Sequence, residues 1–321
     1  MTGIVDRGDY GVGVTPWDDP EWRAEVLEWV RGVLGDDAVQ GDVRLRPWSV
    51  LIRFGGVWFK ANPRGSRFEA GLGEGLARWV PGRVLTPVRV WAERGWALWP
   101  HGGTVMRDAD GTPPNLPAWE GMLRQYAALQ REVTPHVPEI EHLGVPSARP
   151  SDIPALFDRL TDENPTLDST ARAGLLANRP RLKDWCDELS ESPVPTTLDH
   201  SDLQDSQVLS HPPYHQFTFF DWGDATIAHP FASLLVPLRV ATRHHGSRAA
   251  TRLRDAYLTP WTDTGLPTPA LHRTTTLACR LAAVARAAAW THVFPTPHGT
   301  PPENLRAAAA WLHEPFTGPT P

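Results

Sequence analysis

Two acidic segments of this chain combine residue types that can do chemistry. The first, "TTLDHSDLQDSQVL" at 196–209, holds a His, three Asp and two Gln, and the second, "FTFFDWGDA" at 217–225, places acids after an apolar run. Asp202 and Asp221 are nineteen residues apart, so a hairpin over 208–221 would bring both to one end of it. Two neighbouring carboxylates can divide the work of accepting a proton and holding a divalent cation. The alternative is that each Asp caps a turn or a helix.

The two segments together resemble the catalytic region of the aminoglycoside phosphotransferase family, which is related to the protein kinases. In that family a His-x-Asp motif is followed after four residues by Asn and an apolar strand. A second strand then ends in a metal-binding Asp, an aromatic residue and Gly. The runs "HSDLQDSQVL" and "FFDWGDATIAHPF" show this order and spacing. The resemblance covers roughly residues 40–240 and implies transfer of the γ-phosphoryl group of ATP or GTP to a small-molecule hydroxyl, with Mg²⁺.

The resemblance assigns a role to four residues of these segments. Asp202 matches the catalytic base that receives the proton of the substrate hydroxyl, and His200 matches the structural His of the catalytic loop. Asp221 matches the acid that ligates the Mg²⁺ bridging the nucleotide phosphates. Gln207 stands where the family has Asn as a second metal ligand. Its amide oxygen either reaches the metal after an adjustment of the loop or leaves one metal weakly held.

A lysine and a helix acid are the next candidates, because a nucleotide kinase needs a cation on the α- and β-phosphates held by a carboxylate. Lys60 ends the strand-like run "VWFKA", and a helix is expected over 66–80. Glu69 shares its side of that helix with apolar residues that must face the sheet, whereas Glu74 points away. We therefore expect Lys60 to pair with Glu69. The alternative is a surface Lys and an acid favoured by the helix dipole.

Three further nucleotide contacts follow from the resemblance. The run "RLRPWSVLIRF" lacks a G-x-G-x-x-G phosphate loop. Ser49, next to Trp48, would instead offer its hydroxyl and backbone N–H to the phosphates. The run "WALWPHGG" matches the linker between the lobes, so the carbonyl of Trp99 and the N–H of His101 would face the purine. The alternative for this run is a rigid Pro-Gly turn.

The elements that must position these residues are readable from the hydrophobic pattern. It predicts a small β-rich N-terminal lobe over 1–100 and a larger, mostly α-helical lobe over 101–321. The resemblance implies that this α+β, bilobal fold is protein-kinase-like. In the first lobe we expect a helix at 20–35 closed by Gly35, strands within 43–61 turning at Gly55-Gly56, the helix at 66–80, and strands at 84–91 and 95–99. In the second we expect helices at 117–133, within 153–190, and at 231–246, 247–259, 268–294 and 302–313, a hairpin at 208–221 with a Pro-rich turn, and a disordered tail at 315–321.

Composition excludes several classes of function. The net charge of −6 is too small to indicate nucleic acid or a membrane as partner. No apolar run approaches the about 20 residues of a membrane span, and the first residues lack a signal-peptide pattern. The two cysteines, Cys186 and Cys279, are far apart and are expected to be reduced thiols in a cytoplasmic protein.

The charge of the C-terminal part bears on the acceptor. From Ala225 onward the sequence has nine Arg, no Lys and four acids, a net charge of +5 (nine minus four). In the family this region walls the acceptor site, and a polycationic aminoglycoside should prefer an acidic wall. We therefore expect a neutral or nucleoside-type antibiotic as acceptor and a role in resistance or self-protection. The alternatives are a catalytically weak or inactive binding protein on the same fold and, less well matched, a metal-dependent hydrolase.

Overall fold

The computed structural model describes residues 4–9, 15–36, 38–107, 110–211 and 216–317. A mixed sheet, antiparallel except for the parallel pairing of its first two strands, forms the N-terminal lobe together with two helices, and helices dominate the rest of the chain. Two hydrophobic cores underlie this division, since one cluster joins the sheet to the first helix and the other joins the second helix to the C-terminal helices. The predicted α+β, bilobal fold is confirmed.

A six-stranded sheet forms the N-terminal lobe, in the order β1-β2-β3-β4-β6-β5. Its strands are β1 (Val5–Asp6), β2 (Gln40–Arg46), β3 (Ser49–Phe54), β4 (Val57–Ala61), β5 (Arg89–Trp91) and β6 (Trp96–Pro100). The predicted turn at Gly55-Gly56 joins β3 to β4, and Gly55 has a φ of 58°, a conformation that favours glycine. Of the predicted strand at 84–91 only the end pairs with β6, while Val84 bridges to Phe219 in the other lobe.

The two helices of this lobe lie on opposite faces of the sheet. Helix α1 (Pro20–Leu34) is capped by the Asp19 side chain and ends at Gly35, as predicted. It packs aromatic rings against the sheet, with Trp22 and Trp96 in edge contact at 5.8 Å between centroids. Helix α2 (Phe68–Trp79) faces the other lobe and buries Glu69 in its first turn, although three glycines weaken its intrinsic helix propensity.

Eleven helices are present in the described residues, nine of them after β6. These nine are α3 (Leu116–Val133), α4 (Val137–His142), α5 (Ile153–Glu163), α6 (Ser169–Ala177), α7 (Arg179–Ser190), α8 (Leu235–His245), α9 (Arg248–Leu258), α10 (Thr268–Ala289) and α11 (Pro302–Thr317). Helix α10 ends five residues earlier than predicted, and the chain turns back before α11. None of the helices in the described part of the chain is long and apolar enough to cross a membrane. Cys186 and Cys279 are buried free thiols.

The C-terminal tail differs from the prediction. We expected 315–321 to be disordered, but α11 continues to Thr317 and includes Pro315. Phe316 stacks on Trp185 at 5.7 Å between ring centroids and touches Phe157, so apolar packing holds this last turn in place. Residues 318–321 lie outside the described residues.

Two short antiparallel ladders carry the acidic segments. Strand β7 (Thr197–Asp199) pairs with β10 (Thr226–Ala228), and β8 (Val208–His211) pairs with β9 (Gln216–Phe219). The second ladder is the predicted hairpin, and its Pro-rich turn at 212–215 lies outside the described residues. Because Val208 is opposite Phe219, the loop before β8 and the turn after β9 emerge at the same end.

Candidate active site

Lys60 stands between two carboxylates that come from different lobes. Its Nζ lies 2.6 Å from Asp221 Oδ1 and 2.7 Å from a carboxylate oxygen of Glu69. Strand β4 presents Lys60, the first turn of α2 presents Glu69, and the turn after β9 presents Asp221. Glu74, the competing acid, is exposed. The structure thus joins the three residues that the sequence singled out around one ammonium group.

Burial and ion pairing act against each other in this cluster. The side chains of Lys60 and Glu69 are 11% and 4% exposed, whereas Asp221 is 42% exposed and opens toward the cleft. Burial alone would lower the pKa of Lys60, but the negative charges of Asp221 and Glu69 raise it above its usual value. Burial would also raise the pKa of Asp221, and the nearby Lys60 instead holds it below its usual value. The cluster therefore keeps a cation and a carboxylate charged beside the cleft.

Backbone conformation and hydrogen bonds fix Asp221 and Glu69 against each other. Asp221 has a φ of 66°, a left-handed conformation that is uncommon for a residue other than glycine. The amide N–H of Trp222 donates to Glu69 at 3.1 Å, and Asn62 donates to the other carboxylate oxygen. A Cβ at Gly223 would lie 3.2 Å from that oxygen, so the turn after Asp221 packs closely on α2. Hydrogen bonds and close packing therefore fix the turn against the helix.

Asp202 is held by three donors in the loop between β7 and β8 and on α10. Its Oδ2 accepts from Gln207 Nε2 at 2.9 Å and from Gln204 Nε2 at 3.0 Å, and its Oδ1 accepts from Arg286 at 2.6 Å. Burial raises the pKa of Asp202, and the charge of Arg286 opposes that rise. A carboxylate fixed in this way can receive a proton from a hydroxyl in the adjoining cavity.

His200 holds the loop of Asp202 in place through buried contacts. It is fully buried and lines neither of the two cavities that adjoin Lys60 and Asp221. One ring nitrogen, Nε2, lies 2.8 Å from the carbonyl oxygen of Phe220, and its backbone N–H donates to the hydroxyl of Tyr126 at 2.9 Å. Its ring packs on Trp222 at 4.7 Å between centroids. His200 therefore ties the loop of Asp202 to the segment after β9 that carries Asp221.

Gln207 has the chemistry of a metal ligand. Its Nε2 donates to Asp202, while its Oε1 is buried with no hydrogen-bond partner. Leaving such an oxygen unpaired costs about 1–3 kcal/mol. Gln207 and Asp221 line the same cavity. A carboxylate and an unpaired amide oxygen in one cavity fit the oxygen preference of Mg²⁺, which these two side chains would hold.

Protein groups alone do not complete a metal centre here. Among residues with a described position, no three His, Cys, Asp or Glu side chains cluster to hold an ion. Mg²⁺ characteristically keeps water and phosphate ligands beside one or two protein oxygens. The donor set of Asp221 and Gln207 therefore suits an ion that arrives with a nucleotide.

Two cavities meet at this cluster. The outer cavity, of about 320 Å³, lies between the sheet and the β8–β9 hairpin and is mostly apolar. The inner cavity, of about 350 Å³, lies beside α10 and is more polar. Lys60 and Asp221 line both, and Asp202 lines the inner one. The side chains that shape the outer cavity include Leu51, Trp58, Trp99, Leu209 and Phe219. Their size and apolarity fit a planar base.

The backbone groups of Trp99 and His101 that we expected to face the base are directed into the sheet. The N–H of His101 donates to the Gly56 carbonyl at 2.9 Å, and Trp99 is paired with Trp58 of β4. Backbone groups alternate in direction along a strand, so the carbonyl of Trp99 also points into the sheet. Pro100 and Gly102 also line the outer cavity. Trp99 and His101 line that cavity with their side chains instead.

Ser49 does not reach the phosphate side of the site. It is 3% exposed, begins β3 opposite Arg46, and lines neither cavity. The turn from β2 to β3 has only two residues, so Ser49 is drawn into the closing pair of the hairpin. Trp48 of the same turn is 41% exposed and lines the inner cavity. Trp48, rather than Ser49, is therefore the residue of this turn that borders the site.

Two residues of the site carried no predicted role. Arg286, on α10, donates to Asp202 at 2.6 Å and to Asp224 at 2.7 Å. Asp224 belongs to the "DWGDA" run, but Arg286 lies in an Ala-rich helix with no motif around it. Of the nine arginines after Ala225, Arg286 alone lines one of these two cavities. The expectation of a generally basic wall is therefore wrong, since the basic charge at the site is concentrated in one guanidinium.

Comparisons with known proteins support the fold. No family model matches the sequence, and no curated protein matches it. The structure is similar to the GDP complex of wild-type aminoglycoside 2'-phosphotransferase-IIIa, at 15% identity over 92% of this chain and 98% of that one, with a TM-score of 0.59. It is also similar to choline kinase LicA from Streptococcus pneumoniae, at 12% identity over 92% and 99%, with a TM-score of 0.57. Aminoglycoside phosphotransferase APH(3'')-Id from Streptomyces rimosus shares 19% identity over 81% and 98%, with a TM-score of 0.51. The resemblance inferred from the two motifs is confirmed at the level of the fold.

Proposed function

We propose that this protein is a small-molecule kinase that transfers the γ-phosphoryl group of ATP or GTP to a hydroxyl group. The observation that carries the proposal is the position of Lys60 and Asp221 on the border of two adjoining cavities, one shaped for a planar base and the other lined by Asp202. A nucleotide with its base in the outer cavity would extend its phosphates past Lys60 toward the inner one. An acceptor in the inner cavity would then lie beside the carboxylate that takes its proton.

Each residue of the site has a distinct task in this reaction. Lys60, fixed by Glu69, binds phosphate oxygens, and Asp221 with Gln207 holds the metal ion. When bound, Mg²⁺ supplies positive charge to the phosphates. The acceptor oxygen forms a bond to the γ-phosphorus while the bond from phosphorus to the leaving oxygen of the nucleoside diphosphate breaks. Asp202 receives the proton of the acceptor hydroxyl.

The acceptor that we propose is neutral or nucleoside-type and antibiotic-like, so that the enzyme would serve in resistance or self-protection. The inner cavity is lined by the indole rings of Trp48 and Trp290, which offer flat apolar surfaces to a ring. Arg286 occupies two of its carboxylates, which disfavours a polycation. The fold by itself leaves the acceptor open, because similar structures include both aminoglycoside phosphotransferases and a choline kinase.

The test is a phosphoryl-transfer assay with ATP and with GTP, with and without Mg²⁺, against a panel of neutral, nucleoside-type and aminoglycoside antibiotics. Asp202→Ala should abolish transfer while the nucleotide dissociation constant stays within about twofold, because Asp202 lies in the inner cavity and not under the base. An unchanged rate in this variant contradicts the assigned role. A wild-type protein that binds nucleotide but transfers to no acceptor would instead favour the binding-protein alternative.

A further inference from the structure

Arg286 holds two carboxylates of the inner cavity at the same time. Its two terminal nitrogens lie 2.6 Å from Asp202 Oδ1 and 2.7 Å from Asp224 Oδ2. The side chains of Arg286 and Asp202 are each 14% exposed, and that of Asp224 is 29% exposed. Since a guanidinium keeps its charge at any accessible pH, this arrangement does not depend on titration of Arg286.

The ion pairs decide how much negative charge an acceptor meets. Apart from Lys60 and Asp221, which it shares with the outer cavity, the inner cavity is lined by two acids and one arginine, a net charge of −1 (Asp202 and Asp224 against Arg286). Without the guanidinium, two adjacent carboxylates would carry a net charge of −2 and would form a natural site for an amine. The sites for the ammonium groups of a cationic acceptor are therefore already occupied by a side chain of the protein.

A neutral acceptor does not compete with Arg286. An ionised carboxylate offers about four lone-pair positions. Three donors reach Asp202, two on Oδ2 and one on Oδ1, so Oδ1 keeps a position for a hydroxyl group. An ammonium group at that position, by contrast, would place a second cation beside the guanidinium, which is unfavourable in a desolvated site.

We propose that Arg286 sets the charge class of the acceptor: by occupying Asp202 and Asp224 it admits neutral hydroxyl compounds and excludes those with an amine beside the reacting hydroxyl. This inference rests on the proposed kinase function, because it takes the inner cavity as the acceptor site. It assigns specificity to a single residue of α10 and gives the acidic residue Asp224 a purpose, which is to hold that residue in place.

The test is calorimetric titration of kanamycin, a polycationic aminoglycoside, into the wild-type protein and three variants. R286Q removes the charge and retains an amide donor, R286K retains the charge, and R252Q removes one charge from an exposed arginine of α9 that lines neither cavity. We expect R286Q to bind kanamycin at least tenfold more tightly than the wild type, while R286K and R252Q stay within twofold of it. If R286Q is unstable, R286M, whose side chain has no polar head, replaces it and should show the same gain in kanamycin affinity.

Two results would overturn the proposal. One is a kanamycin affinity of the Arg286 charge-removing variants no higher than that of R252Q. The other is a micromolar kanamycin affinity of the wild type, a measurement that needs no variant. Affinities for ATP and GTP with Mg²⁺, measured on the same samples, separate this inference from the kinase proposal. A wild-type protein that binds neither ATP nor GTP would contradict the kinase function. The comparison of kanamycin affinities tests only the role of Arg286.

Discussion

Gly73 of α2 is the position where one added methyl group should disturb both packing and nucleotide binding. A Cβ at Gly73 would lie 2.2 Å from a ring carbon of Trp99 and 3.1 Å and 3.2 Å from two others. Trp99 lines the outer cavity, so its ring can yield only by moving toward the base or by pushing α2 away. Glu69 lies four residues earlier on the same face of α2, so a displaced helix also moves the partner of Lys60.

The magnitude follows from two opposing effects. Replacing Gly by Ala inside a helix stabilises it by about 1 kcal/mol. Overpacking a well-packed site destabilises it by about 1–3 kcal/mol. For Gly73→Ala we therefore expect a net loss of about 0–2 kcal/mol. Gly174, in α6, is a matched control because nothing lies within 4 Å of a Cβ there, so Gly174→Ala should gain about 1 kcal/mol.

Urea unfolding of both variants measures this difference, and nucleotide titration measures its effect on the site. We expect Gly73→Ala to be about 1–3 kcal/mol less stable than Gly174→Ala and to bind nucleotide about tenfold more weakly. If Gly73→Ala is as stable as Gly174→Ala and binds nucleotide like the wild type, the contact between α2 and Trp99 does not position the site.

Two other predictions concern the metal and the pH dependence. Because the Oε1 of Gln207 is unpaired and buried, Gln207→Leu should raise the Mg²⁺ concentration for half-maximal transfer about tenfold, while Gln207→Asn should not. Equal Mg²⁺ titrations for the Leu variant and the wild type would exclude Gln207 as a ligand. Burial lowers the pKa of His229 to about 3. As the pH falls below about 6.5, the unfolded chain therefore binds a proton at this residue before the folded chain does. The free energy of unfolding then decreases as the pH falls from about 6.5 toward 3. Because of this group, the free energy of unfolding measured with urea should be about 2 kcal/mol lower at pH 5 than at pH 7. The His229→Asn variant should lack this loss. An equal change in the free energy of unfolding between pH 7 and pH 5 in both proteins would refute the prediction.

Local pattern was sufficient for the residues whose neighbours follow from short segments. The choice of Glu69 over Glu74 needed only the direction of side chains around a helix that must face a sheet. The approach of Asp202 and Asp221 needed only a hairpin between them, which the apolar runs predicted. Each of these inferences depends on the regular geometry of one or two adjacent elements.

Register and distant contacts could not be found in this way. The register between β4 and β6 determines that Trp99 and His101 direct their backbone groups into the sheet. The sequence alone does not show which alternate residues of a strand face the neighbouring strand. Ser49 was misplaced because the two-residue turn before it buries it in the hairpin. The ordered end of α11 likewise depends on Phe316 meeting rings from α5 and α7.

The sequence by itself determined the class of fold, the acids on either side of the hairpin and the lysine with its helix partner, because helices and hairpins place nearby residues by fixed geometry. Only the tertiary structure decided which charges line the inner cavity. Arg286 reaches Asp202 across eighty-four residues because α10 packs beside the loop, and its neighbours in the sequence are mostly alanines. Long-range packing selects such a contact, and no local pattern encodes it.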